Sequence, residues 1–158
     1  MPSVLFVCTA NQCRSPLAQG LFQLELNGQL TGWRIDSAGT WAVEGLPPSP
    51  KTLQILQEKG IDLSSQRSKP VDRNLLQSFA LILTMEGGQK EALQVEFPEQ
   101  REKIFLLSEM IGAEYDIQDP VGGDWEAYQR TAAEIANILK LGFERIKTLA
   151  SQNENDPK

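Results

Sequence analysis

Short apolar runs alternate along the chain with longer stretches that are apolar on one side. The first run is Ser3–Cys8, in which Val4, Leu5, Phe6 and Val7 are consecutive. That length, and the β-branched content, predict a strand buried on both faces. Turn-forming residues follow from Thr9 to Cys13. Ser15 and Pro16 then open a helical pattern with Leu17, Leu21, Phe22 and Leu24 to one side, ending near Gly28. Proline suits a first helical turn, where its missing N–H has no partner to lose.

The same reading places strands over 33–38, 81–84 and 103–107, and helices over 52–59, 72–77 and from Gly87 towards Val95. Proline and glycine mark two loops, 44–50 and 117–124. A single amphipathic helix is expected over 125–149, its stripe formed by Tyr128, Ala132, Ile135, Ile138, Leu139, Leu141, Phe143 and Ile146. Residues 151–158 are polar and read as a disordered tail, which leaves one domain over 1–150. Strands alternating with helices predict a single-domain α/β fold, a parallel sheet with helices on both faces. In such sheets ligands sit beyond the carboxyl ends of the strands. The loop after the first strand is therefore the first place to look for chemistry.

Composition narrows the chemistry. The 158 residues are 41% apolar and 23% charged, ordinary for one soluble domain. A net charge of −6 argues against nucleic acid as a partner, because a phosphate backbone demands a basic stripe. No apolar run approaches a membrane span and the first residues lack a basic leader pattern. Only two cysteines occur, both within the first 13 residues, which is no secreted disulfide framework. A reducing cytoplasm is the expected location. Histidine is absent, which removes Ser-His-Asp and Cys-His catalysis and HExxH zinc sites. Acid–base work falls to Asp, Glu, Lys, Tyr, Cys or water.

The loop reads Cys8, Thr9, Ala10, Asn11, Gln12, Cys13, Arg14, Ser15. Five residues separate Cys8 from Arg14. Such a loop can curl so that successive N–H groups point inwards and form a nest for a tetrahedral oxyanion. The helix that follows adds its positive N-terminal end, and Arg14 offers a planar fork to two phosphoryl oxygens. All three favour a thiolate at Cys8, a phosphoryl acceptor. Ser15 is placed to donate its hydroxyl to that sulfur.

This segment, with Asp36-Ser37-Ala38-Gly39-Thr40, Gly60-Ile61-Asp62-Leu63-Ser64, Leu81-Ile82-Leu83-Thr84-Met85 and Asp119-Pro120, resembles the low-molecular-weight protein tyrosine phosphatases over nearly the whole chain. The resemblance implies a four-stranded parallel sheet with flavodoxin-like winding, no metal or other cofactor, a phosphocysteine intermediate, phosphotyrosine proteins as substrates and inhibition by phosphate-like oxyanions. A carboxylic acid must protonate the leaving oxygen. Asp119 lies on the late loop, Asp116 and Asp124 lie close enough to rival it, and the resemblance selects Asp119. It also marks Asn11 and Ser37 as braces of the loop. Relatives often carry a histidine in that brace, where Gln66 or Ser65 stands here. Ala10 occupies a position that is often glycine, and Gln19 one that is often acidic.

Cys13 packs beneath the loop on one reading, and on another bridges to Cys8 under oxidation. Trp41 is the first choice for an aromatic wall at the substrate entrance, Val43 the alternative, and a lone Trp equally suits a core. Val121 and Gly122 flank the same mouth where relatives carry tyrosines. Two other functions share such a scaffold. An arsenate reductase needs further cysteines to relay electrons, and none follows Cys13. A non-catalytic phosphate-binding module would need neither Cys8 nor Asp119.

Overall fold

The computed structural model describes residues 1–28 and 32–152. Its sheet has four parallel strands, β1 (Ser3–Cys8), β2 (Arg34–Gly39), β3 (Leu81–Thr84) and β4 (Ile104–Leu106), in the order β2-β1-β3-β4. Strand β1 is central and every one of its residues is buried, as its unbroken apolar run requires. Alternate side chains enter opposite layers. Val4, Phe6 and Cys8 join a cluster with Leu17, Phe22 and Ile135, and Leu5 and Val7 join one with Leu76, Leu93 and Phe97.

Helices α1 (Arg14–Leu26), α5 (Trp125–Leu141) and α6 (Phe143–Gln152) supply the first layer. Helices α3 (Arg73–Gln77) and α4 (Gly87–Glu96) supply the second. Helix α2 (Pro50–Glu58) packs its Ile55 and Leu56 into the first. It starts where Ser49 accepts a hydrogen bond from the Thr52 N–H and Pro50 occupies the first turn, both ordinary N-terminal devices.

Three expectations are corrected. Leu24 is exposed and lies off the buried face of α1. The helix expected over 125–149 is two helices, because Gly142 interrupts it. A Cβ there would lie 2.8 Å from Met110 Cβ and 2.9 Å from its carbonyl oxygen, so the close approach of Met110 admits only glycine. The domain also extends past residue 150, since α6 continues through Gln152. The rest of the tail, 153–158, lies outside the described residues.

Beyond the carboxyl end of β1 the order reverses, with β2 to one side and β3 to the other. That switch point is where the connection from Cys8 to Arg14 emerges.

Candidate active site

The loop is shaped from outside by the chain that follows β2. The carbonyls of Cys8, Thr9 and Gln12 accept hydrogen bonds from the N–H groups of Thr40 (2.9 Å), Trp41 (2.9 Å) and Ser49 (2.7 Å). In a trans peptide the next N–H points the opposite way. The amides of Thr9, Ala10 and Cys13 therefore face away from those partners. Asn11 makes the turn with φ 59°, a left-handed angle that asparagine tolerates better than most residues. Gly39 is required by the same closeness. A Cβ there would stand 2.4 Å from the Thr9 carbonyl and 3.1 Å from the Asn11 nitrogen.

Cys8 ends β1, almost fully buried, with its Sγ 3.0 Å from Ser15 Oγ. Asn11 Nδ2 donates to Ser15 Oγ (2.8 Å) and to Ser37 Oγ (2.9 Å). Thr9 Oγ1 accepts from Gln89 Nε2 at 3.0 Å. Ala10 is exposed.

Arg14 is 2% exposed, a cation that must be compensated. Its Nη1 donates to the Ile117 carbonyl at 2.7 Å and lies 3.1 Å from Glu86 Oε1. Its Nη2 lies 3.6 Å from Asp119 Oδ2. Of the three aspartates, only Asp119 reaches Arg14. Asp116 accepts from the Gly87 N–H and Asp124 caps α5 through the Ala127 N–H.

Sequence patterns missed Glu86 and the Ile117 carbonyl. Glu86 was legible only as a carboxylate just beyond the end of β3, the side of the sheet where the loop lies. A backbone carbonyl leaves no residue-type signal at all.

Cys13 is buried and its thiol is pushed up to about 12, chiefly by burial and further by the charge of Cys8, against a hydrogen bond with Thr52. Both cysteines are free. Trp41, Val43 and Val121 are all exposed, Trp41 by 84%, which excludes a core role for that indole. The Trp41 backbone is tied to Thr9, and Val121 lines a groove with Gln12, Cys13, Pro48 and Tyr128. Gln66, not the exposed Ser65, joins the brace by accepting from Gln19 Nε2.

A family model described as low molecular weight phosphotyrosine protein phosphatase matches residues 3–152. The chain belongs to that family. Among similar proteins, a protein-arginine-phosphatase of Geobacillus stearothermophilus is 36% identical over 92% of this chain and 96% of its own. A probable low molecular weight protein-tyrosine-phosphatase, EpsP, of Ralstonia solanacearum is 34% identical over 93% and 97%. The crystal structure of a low molecular weight protein tyrosine phosphatase from T. tengcongensis superposes with a TM-score of 0.86 at 37% identity, covering 92% of this chain and 99% of that one. Among the described residues of this low molecular weight phosphatase no cluster of His, Cys, Asp or Glu is arranged to hold a metal ion, and no helix is long and apolar enough to cross a membrane.

Proposed function

We propose that the chain hydrolyses phosphotyrosine in cytoplasmic proteins through a phosphocysteine intermediate on Cys8, without a cofactor. The observation that carries this reading is the convergence of Cys8, Arg14 and Asp119 from two distant segments onto one loop. The thiolate attacks phosphorus as the phosphorus–oxygen bond breaks, and Asp119 gives its proton to the leaving oxygen. Water then attacks the phosphocysteine, Asp119 takes a proton back, and inorganic phosphate leaves as the thiolate reforms. Arg14 and the amides hold the equatorial oxygens throughout. Trp41, Val43 and Val121 form the apolar rim against which a phenyl ring rests.

A second reading, phosphoarginine as substrate, is favoured by the similarity to the Geobacillus enzyme and by two part-exposed carboxylates, Glu86 and Asp119, beside the loop. Matched phosphotyrosine and phosphoarginine peptides decide between the two by kcat/KM. Failure to hydrolyse either overturns both. Asp119→Ala is expected to lower kcat on phenyl phosphate by about 10²-fold. The loss should shrink for p-nitrophenyl phosphate, whose leaving group needs a proton less. An equal loss on both esters would remove Asp119 as the acid.

Cys13 is proposed as a redox guard. Peroxide converts the Cys8 thiolate to a neutral sulfenic acid, and attack by Cys13 on that sulfur gives a disulfide and water. Loss of the charge on Cys8 removes one of the influences that hold Cys13 protonated. Peroxide inactivation is expected to be reversed by dithiothreitol in the native chain and to become permanent in Cys13→Ser. Equal recovery of both proteins would eliminate the guard.

A further inference from the structure

Beside the loop, between the start of α2 and the late loop, lies a groove of about 750 Å³ that no step of the proposed chemistry uses. Two hydrogen bonds make it continuous with the loop. The Ser49 N–H donates to the Gln12 carbonyl (2.7 Å), and Gln12 Nε2 donates to the Pro47 carbonyl (3.1 Å). Gln12 is thus a wall shared by loop and groove, two residues before Arg14. Val121 lines the groove from the late loop, and its N–H donates to Asp119 Oδ1 at 3.0 Å. Both contacts with the mouth therefore lie within two residues of Arg14 or Asp119.

The lining is neutral. Pro48, Pro50, Leu53 and Tyr128 supply its apolar part, and its polar part is limited to amides, one serine hydroxyl and the Cys13 thiol. No acid or base lines it, in a chain of net charge −6. The Lys51 ammonium stands 5.3 Å from the centroid of the Tyr128 ring without being part of the lining. The walls are also fixed before anything enters. Proline has little backbone freedom, and buried Tyr128 is hydrogen-bonded to Ser49. Filling such a preformed hollow costs little ordering.

We propose that this groove holds an aliphatic side chain of the protein substrate, within about three residues of the phosphorylated position, and so selects phosphoproteins with leucine-like flanks. An extended chain that delivers its phosphorylated residue to the loop crosses Gln12 or Val121 and reaches the groove within that distance. A leucine there removes apolar surface from water. A charged flank would lose its water and meet no countercharge. The inference rests on the phosphatase reading and adds to it a class of substrate.

The test uses peptides that carry the phosphorylated residue the chain hydrolyses, flanked over three positions on each side by leucine or by alanine. The two sets have equal charge, so the comparison isolates the groove from the acidic surface. The parent is expected to favour the leucine set by about tenfold in kcat/KM. Leu53→Ala widens the groove. Gln54→Trp, on the exposed side of α2, fills it. Each is expected to bring the preference to within about twofold of unity while kcat/KM for p-nitrophenyl phosphate, which has no flank, stays within about twofold of the parent. If Leu53→Ala does not fold, Gln54→Trp decides alone.

Equal rates on both peptide sets in the parent overturn the proposal, as does a leucine preference that survives in the folded variants. Losses on p-nitrophenyl phosphate that match those on the peptides also overturn it, because the groove would then serve the loop and not the flank. A dimer in sedimentation that either variant abolishes would assign the groove to a second copy of the chain and overturn it too. A parent inactive on every phosphate ester and peptide would instead defeat the phosphatase reading itself.

Discussion

Cys8→Ser is expected to lower turnover of p-nitrophenyl phosphate by at least about 10⁴-fold while the protein melts as the parent does. Serine is smaller than cysteine and keeps a hydrogen-bonding partner in Ser15, 3.0 Å from the present sulfur, so the fold has little reason to change. The chemistry has every reason to. A hydroxyl without a histidine beside it stays protonated, and the chain contains no histidine. An oxygen that did accept the phosphoryl group would also be a far worse leaving group than sulfur in the second step. The proposed cradle does not depend on the sulfur, because the carbonyls of Cys8, Thr9 and Gln12 are held by hydrogen bonds from the N–H groups of Thr40, Trp41 and Ser49. Inorganic phosphate is therefore expected to raise the melting temperature of Cys8→Ser as it does that of the parent. Residual turnover near the parental rate would end the nucleophile assignment. Loss of phosphate protection alone would show that the substitution had damaged the cradle.

Arg14→Lys carries the next largest expected effect, about 10³-fold in kcat/KM. The guanidinium works at two places at once. Nη1 meets the Ile117 carbonyl and Glu86, and Nη2 faces Asp119. Lysine is one compact charge on a flexible stem and cannot span those partners or offer a planar fork to two phosphoryl oxygens. Burial compounds the loss, since Arg14 is 2% exposed and a shorter ammonium leaves Glu86 or the Ile117 carbonyl without its donor. Stopped assays at saturating and limiting substrate separate weaker binding from slower chemistry. Parental kcat/KM in the lysine variant would show that charge without the fork suffices.

The pattern of apolar positions made β1, β3 and most of the helices legible, because burial on both faces or on one face leaves a period that can be read along the chain. It failed at Gly142, where a continuous apolar stripe concealed a break. The cause is Met110, a residue 32 positions away, pressing against the backbone. The stripe also misplaced Leu24 by assigning to the core face a position that the structure leaves exposed. Gln66 and Ser65 were indistinguishable as neighbours in the sequence. Only the closure of the brace onto Gln19 and Asp36 separates them.

Strand, loop and helix from Ser3 to Leu26 are consecutive, so Cys8, the loop amides and Arg14 are brought together by local geometry, and the chemistry proposed for them is visible in the order of residues. The partners of Arg14 are not. Glu86 follows β3, and Ile117 and Asp119 belong to a loop more than a hundred residues from Cys8. Their meeting depends on the strand order β2-β1-β3-β4, which sets the end of β3 beside the end of β1. The same order brings Lys69, Gln66 and Asp36 around the back of the loop. Which donor meets which acceptor belongs to a closed network, and the tertiary fold alone closes it.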